Sequence, residues 1–210
     1  MVECEKLHKL VRLLPRYNFP YVAADIPPNG IYILFEKGEC GHDGDRIVRV
    51  GTHTGENQLR SRIKQHFVNE NKDRSIFRKN IGRAFLNETN DKFLTFWELD
   101  LTTKKAKERH SKYIDFDYQK SIESKVTEYI QNNFTFSVLE VDEKEKRLNI
   151  ESKIISTVSL CQCCSPSMNW LGKSSPKSKI VESGLWLVNE LYKTPLNSLE
   201  IDELMIQLQG

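Results

Sequence analysis

Apolar positions recur at helical spacing along residues 3–14, where Leu7, Leu10, Val11 and Leu14 share one face before Pro15, and this predicts an amphipathic helix docked on the core. Pro27, Pro28, Asn29 and Gly30 then break the chain. Directly after them Ile31-Tyr32-Ile33-Leu34-Phe35 forms a β-branched and aromatic run of strand length; Ile47-Val48-Arg49-Val50 forms a second, closed by Gly51. The three glycines among residues 36–45 predict a long hairpin loop between the two strands. From about Asn57 onward Leu59, Ile63 and Phe67 recur every fourth residue, giving a helix with one apolar face.

Between about residues 70 and 132 the pattern is mixed, with a short helix expected over 76–85, an ambiguous apolar run at 93–99 and a helix over about 121–131. Residues 134–141 alternate as a third strand should, and Leu148, Ile150, Ile154, Ile155 and Val158 then fall in helical register and carry Glu151 with them. The tail comprises a Ser-Pro-Lys-rich loop at 165–179, a short segment holding Gly184 and Trp186, and a last helix near 198–208. Trp170 and Trp186 are read as core or cleft-wall residues.

Composition narrows the class. A chain of 210 residues with 39% hydrophobic and 29% charged residues is long enough to bury a core and too apolar for a disordered one. No stretch approaches the length of a membrane span, and Glu3 and Glu5 argue against a signal peptide, so the expected location is the cytoplasm. Five cysteines without a regular framework suit reduced thiols. Cys161, Cys163 and Cys164 cluster, and Cys40 with His42 can be drawn in to complete a zinc site. Structural zinc, however, normally shows two separated ligand pairs with wider spacing, so these residues are read as buried or helix-end thiols. A regulatory zinc or thiol protein built on Cys161 is the contrasting reading, and it predicts stoichiometric bound zinc.

The net charge of +2 is uninformative, but its distribution is not. From Arg60 to Arg83 eight Lys and Arg face two acids, an excess of six that suits phosphate. The run from Lys104 to Lys112 is more dilute and reads equally well as a solvated surface.

Gly30-Ile31-Tyr32 on a first strand, Arg49-Val50-Gly51 on a second, and Leu59-x-x-Arg62-Ile63-x-x-His66-Phe67 on a helix together resemble the core of GIY-YIG nucleases. Glu151 on its helix and Asn169 after Pro166-Ser167-Met168 look like the second half of that pattern. The resemblance covers residues 30–67 and 134–169 and leaves about 70–132 as a helical insertion, with a docking helix at 3–14 and an extension at 170–210, within one domain. It implies an α+β fold with a small, mainly antiparallel three-stranded sheet flanked by helices. It also implies an endonuclease that hydrolyses DNA, most simply duplex, with one Mg²⁺ or Mn²⁺ per site. One departure stands out: Arg49 occupies the place where the family usually has a tyrosine. Either Arg49 binds phosphate directly or the chain is a weakened, nucleic-acid-binding member.

The chemistry asks for such residues. Hydrolysis needs an aligned water, stabilised negative charge and help for the leaving oxygen. In the roles the resemblance implies, the Tyr32 hydroxyl orients or deprotonates the water, and the Arg62 guanidinium grips non-bridging oxygens. His66 shares the Arg62 helix face and relays a proton or contacts phosphate. Glu151 is the metal ligand, and Asn169 fixes the geometry. Arg78, Lys79 and Arg83 on the insertion either dock a DNA backbone or line a solvated helix whose phenylalanines face the core. One such centre cuts one strand, so double-strand cleavage requires a homodimer or successive events.

Overall fold

The computed structural model describes residues 2–209, leaving Met1 and Gly210 outside the described residues. Helix α1 (Val2–Leu13) leads into a short strand β1 (Arg16–Asn18), then the hairpin β2 (Ile31–Gly41) and β3 (Gly44–Gly51). Helices α2 (Leu59–Phe67), α3 (Ile76–Glu88), α4 (Leu94–Trp97), α5 (Lys104–His110) and α6 (Phe116–Asn133) follow, before β4 (Phe134–Leu139) and α7 (Lys144–Ser159). The chain ends with α8 (Ser178–Ser183) and α9 (Ser198–Gln209). Among the described residues no helix is long and apolar enough to cross a membrane.

The sheet is antiparallel throughout, in the order β1-β4-β2-β3. It has one strand more than the sequence pattern predicts. β1 is three residues of mixed exposure, too short for alternation to reveal it, and it exists because β4 offers a free edge to Arg16, Tyr17 and Asn18. The expected hairpin loop is also shorter than predicted. His42 and Asp43 both take left-handed backbone angles (φ 51° and 60°), so a two-residue turn joins strands that run on to Gly41 and Gly44. The glycine-rich stretch is instead absorbed into β2 by a register shift between Phe35 and Cys40, with Gly38 at φ 87°.

Both faces of the sheet are covered, which explains why residues 31–35 are continuously apolar and do not alternate. Tyr32, Leu34, Val48, Phe136 and Val138 pack on one side against α2, α3, α6 and the buried Trp170 and Trp186. Ile31, Ile33, Phe35, Ile47 and Val50 pack on the other against α1, α7 and α9. Trp170 and Trp186 each donate an indole N–H to the buried Glu36 carboxylate at 2.8 Å, which fixes them as core. The thiols depart from the sequence reading. Cys40 and Cys163 are exposed, whereas Cys164 meets Cys4 of α1 at 3.7 Å.

Candidate active site

Tyr32 is the second residue of β2 and pairs across the sheet with Gly51. Its ring lies over that glycine so closely that a Cβ there would sit 2.1 Å from the phenol oxygen. Any other residue at 51 displaces the tyrosine. The Tyr32 hydroxyl is buried and lies 2.9 Å from Nε2 of His66, one turn beyond Arg62 on α2. Nδ1 of the same ring is 2.7 Å from the Ser75 hydroxyl, which also caps α3 by accepting from the Arg78 N–H. Phenol, imidazole and hydroxyl thus form one chain between the sheet and the start of the insertion.

Burial, followed by the positive charges of Arg62, Arg49 and Arg78, pushes the His66 pKa well below its ordinary 6.5. The ring is therefore neutral at physiological pH.

The residue after Gly51 ties in the second half of the site. The Thr52 backbone N–H reaches the carboxylate of Glu151, which α7 brings up beside the end of β3. Glu151 is half-buried at the wall of a cavity of about 390 Å³, shared with Arg49, Asn80, Asn189 and Glu190. Burial raises its pKa, the Arg49 charge, the Thr52 N–H and Arg62 oppose that rise, and Glu190 adds to it. Glu190 is itself engaged, by Lys193 at 2.8 Å and the Ser152 hydroxyl, so Glu151 is the cavity acid with oxygens to spare.

Arg49 takes its place from β3. The segment after α8 runs along the free edge of that strand, Trp186 N–H to Val48 O at 2.8 Å, and the Trp186 carbonyl accepts from Arg49 Nη1. The guanidinium carbon stands 5.2 Å over the Phe77 ring, while its Nε, buried, has no partner in the protein. Asn80 Nδ2 is likewise buried without a partner, and Asn80 lines the same cavity. Two residues that line the cavity with Glu151 thus each keep a buried donor that no protein group satisfies. Arg62 is half-buried, donates to Gln65 Oε1 and Arg74 O, and lines a separate polar cavity with Thr52 and Gln58.

Tyr32, Arg49, Arg62, His66 and Glu151 are therefore brought together around Gly51 and Thr52. Asn169 is not. It is exposed in a turn whose neighbours are held elsewhere, Ser167 by Glu39 and Trp170 by Glu36, towards the far end of β2. Asn80 and Asn189 are the asparagines on the cavity, and no local spacing signals either of them.

Arg78, Lys79 and Arg83 also differ from expectation, because all three are buried and engaged. Arg78 pairs with Glu123 at 2.8 Å and reaches the His66 carbonyl, Lys79 donates to Glu98 O at 2.8 Å, and Arg83 forks both Glu98 oxygens at 2.6 Å. They hold the insertion together and offer no free charge to a phosphate backbone.

Among protein-family models, the GIY-YIG domain matches residues 9–206. Neither the curated proteins nor the solved structures give a match. The GIY-YIG match spans nearly the whole chain, insertion included, and this chain belongs to the GIY-YIG family, whose members are generally nucleic-acid-cleaving hydrolases that use a divalent metal.

Proposed function

We propose that this chain is a metal-dependent endonuclease that hydrolyses DNA phosphodiester bonds in the Glu151 cavity, acting on duplex DNA. The observation that carries the reading is one cavity lined by the half-buried Glu151 carboxylate together with Arg49 and Asn80, whose buried Nε and Nδ2 donors no protein group satisfies. Glu151 would hold the cation, since a single carboxylate completed by water and phosphate oxygens is a usual Mg²⁺ set. When bound, the ion supplies Lewis-acid polarisation of the phosphate and stabilises the leaving oxygen.

The chain's own residues then have separate tasks. Arg49 and Arg62 grip the non-bridging oxygens, and the Asn80 amide adds a neutral donor. Tyr32 would give its proton to His66 Nε2 in a hydrogen bond, which leaves its oxygen lone pair to accept from the attacking water. Because arginines surround His66, the ring orients the phenol and does not store a proton. Arg49 in this scheme replaces the usual tyrosine by binding phosphate directly.

Supercoiled plasmid incubated with protein and Mg²⁺ or Mn²⁺ tests the proposal. Nicking that EDTA stops is expected, and Glu151→Gln should lower the rate on the order of 10³-fold while binding persists. A wild-type protein that retards plasmid and leaves it intact with either metal would make the chain a binding module, the reading that Arg49 otherwise favours. Linear product appearing ahead of nicked circles would indicate a homodimer.

A further inference from the structure

The tip of the β2–β3 hairpin lies nine residues along β2 from Tyr32, on the order of 30 Å of extended chain. A second polar cluster sits there, on the opposite face of the sheet. Cys4 and His8 stand one turn apart on α1, His42 opens the hairpin turn, and Cys164 comes from the loop after α7. One donor atom from each of the four lies within 4.8 Å of every other. Cys4, His8 and Cys164 are almost wholly buried, and both thiols belong to the apolar cluster beneath α1.

We infer that Cys4, His8, His42 and Cys164 form a structural zinc site that fastens α1 and the loop after α7 to the hairpin tip. Tetrahedral zinc with bonds of about 2.3 Å to sulfur and 2.0–2.1 Å to nitrogen requires edges of roughly 3.8 Å between sulfurs and 3.6 Å between sulfur and nitrogen. Cys4 Sγ and Cys164 Sγ are 3.7 Å apart, and Cys164 Sγ is 3.9 Å from His8 Nε2. His8 Nδ1 lies 2.8 Å from the Cys4 carbonyl; donating there holds the ring, as outer-shell bonds at zinc histidines do, and Nε2, which takes a long 3.4 Å contact from the Ile47 N–H, exchanges that contact for the metal.

Charge balances as well. Zinc binding displaces one proton from each thiol, and Zn²⁺ with two thiolates and two neutral imidazoles sums to zero, which an apolar core tolerates. Thiolate and imidazole donors select zinc over the hard, oxygen-seeking cation expected at Glu151. Cys161, half-exposed and 3.3 Å from His42 Nε2, stands at the rim as a fifth donor outside the set.

The test starts from untagged protein passed through EDTA-containing buffer by gel filtration, then analysed for metals. One zinc per chain is expected, and X-ray absorption should fit two sulfurs near 2.3 Å with two nitrogens near 2.0 Å. Cobalt-exchanged protein should show the intense visible bands of a tetrahedral thiolate site. His42→Ala, at a surface turn where folding is least at risk, should lose zinc to a chelator at least tenfold more readily, while Cys40→Ser should not. Absence of zinc, or peptide mapping that finds Cys4 and Cys164 oxidised to each other, overturns the site. A fit with three sulfurs overturns the ligand set by bringing Cys161 in for a histidine. Glu151→Gln should keep its zinc, and loss of zinc in that variant would move the ion to the cavity and overturn the proposal.

Discussion

Arg49 and Arg78 are both more than nine-tenths buried, and each lies beside or next to Phe77, yet they are used in opposite ways. Arg78 spends its donors inside the protein: Nε and Nη2 on Glu123, Nη1 on the His66 carbonyl, and Nη2 also on the Thr127 hydroxyl. Arg49, which lines the Glu151 cavity, has one hydrogen bond, to the Trp186 carbonyl, plus the face of Phe77, and its buried Nε is left unmet. The difference teaches how to sort buried cations. One whose donors are all met by protein groups is scaffold, and one that lines a cavity beside an acid with a donor left unmet is kept for a ligand.

The largest effect should come from breaking the satisfied member. Arg78→Met leaves the Glu123 carboxylate buried without its guanidinium, and removing one partner of such a pair destabilises by about 3–5 kcal/mol. Urea denaturation checks it, and a loss under about 1 kcal/mol would mean that Glu123 finds another partner or water. Arg49→Met should do the reverse. Little within the protein depends on that charge, so stability should change by about 1 kcal/mol or less, while plasmid cleavage falls on the order of 100-fold, about 2.7 kcal/mol of transition-state stabilisation. If Arg49→Met unfolds the protein and leaves the cleavage rate of its folded fraction intact, the two arginines are not different in kind.

How far the sequence carries this distinction depends on distance along the chain. Tyr32 with Gly51, and Arg62 with His66, were legible because a hairpin pairs near neighbours and a helix aligns every fourth residue. The half-buried position of Glu151 was legible from its place between Ile150 and Ile154 in an apolar helical stripe. The basic run from Arg78 to Arg83 misled because its acids, Glu98 and Glu123, lie 15 and 45 residues on, across helices whose packing no local pattern encodes. The same holds for Asn189, delivered by a segment lying along the edge of β3, and for Cys4 and Cys164, 160 residues apart. A mainly antiparallel sheet was legible from the hairpin and the alternation of residues 134–139, but its order was not, because β4 joins β2 across the whole insertion and the three residues of β1 are ordered by their neighbour.

The smallest effect is the one that reads both arginines at once. His66 lies between them: Arg78 donates to its carbonyl at 3.1 Å, and the charges of Arg62, Arg49 and Arg78 add to burial in holding its imidazole neutral. Below the unfolded value of about 6.5 the unfolded chain takes up a proton at this residue and the folded one does not, so the unfolded state binds more protons and stability falls as pH drops. The slope from this one group is at most about 1.4 kcal/mol per pH unit, beginning near pH 6.5 and ending at the depressed folded value. In His66→Gln that part of the slope should vanish between pH 6.5 and 5, whatever the mutation does to stability at pH 8. In Arg49→Met the slope should begin at the same pH and level off sooner, because one repelling charge is gone and the folded imidazole accepts its proton at a higher pH. Urea denaturation of the three proteins across that range separates the cases, and parallel curves for wild type and His66→Gln would show that the ring is not held neutral in the fold.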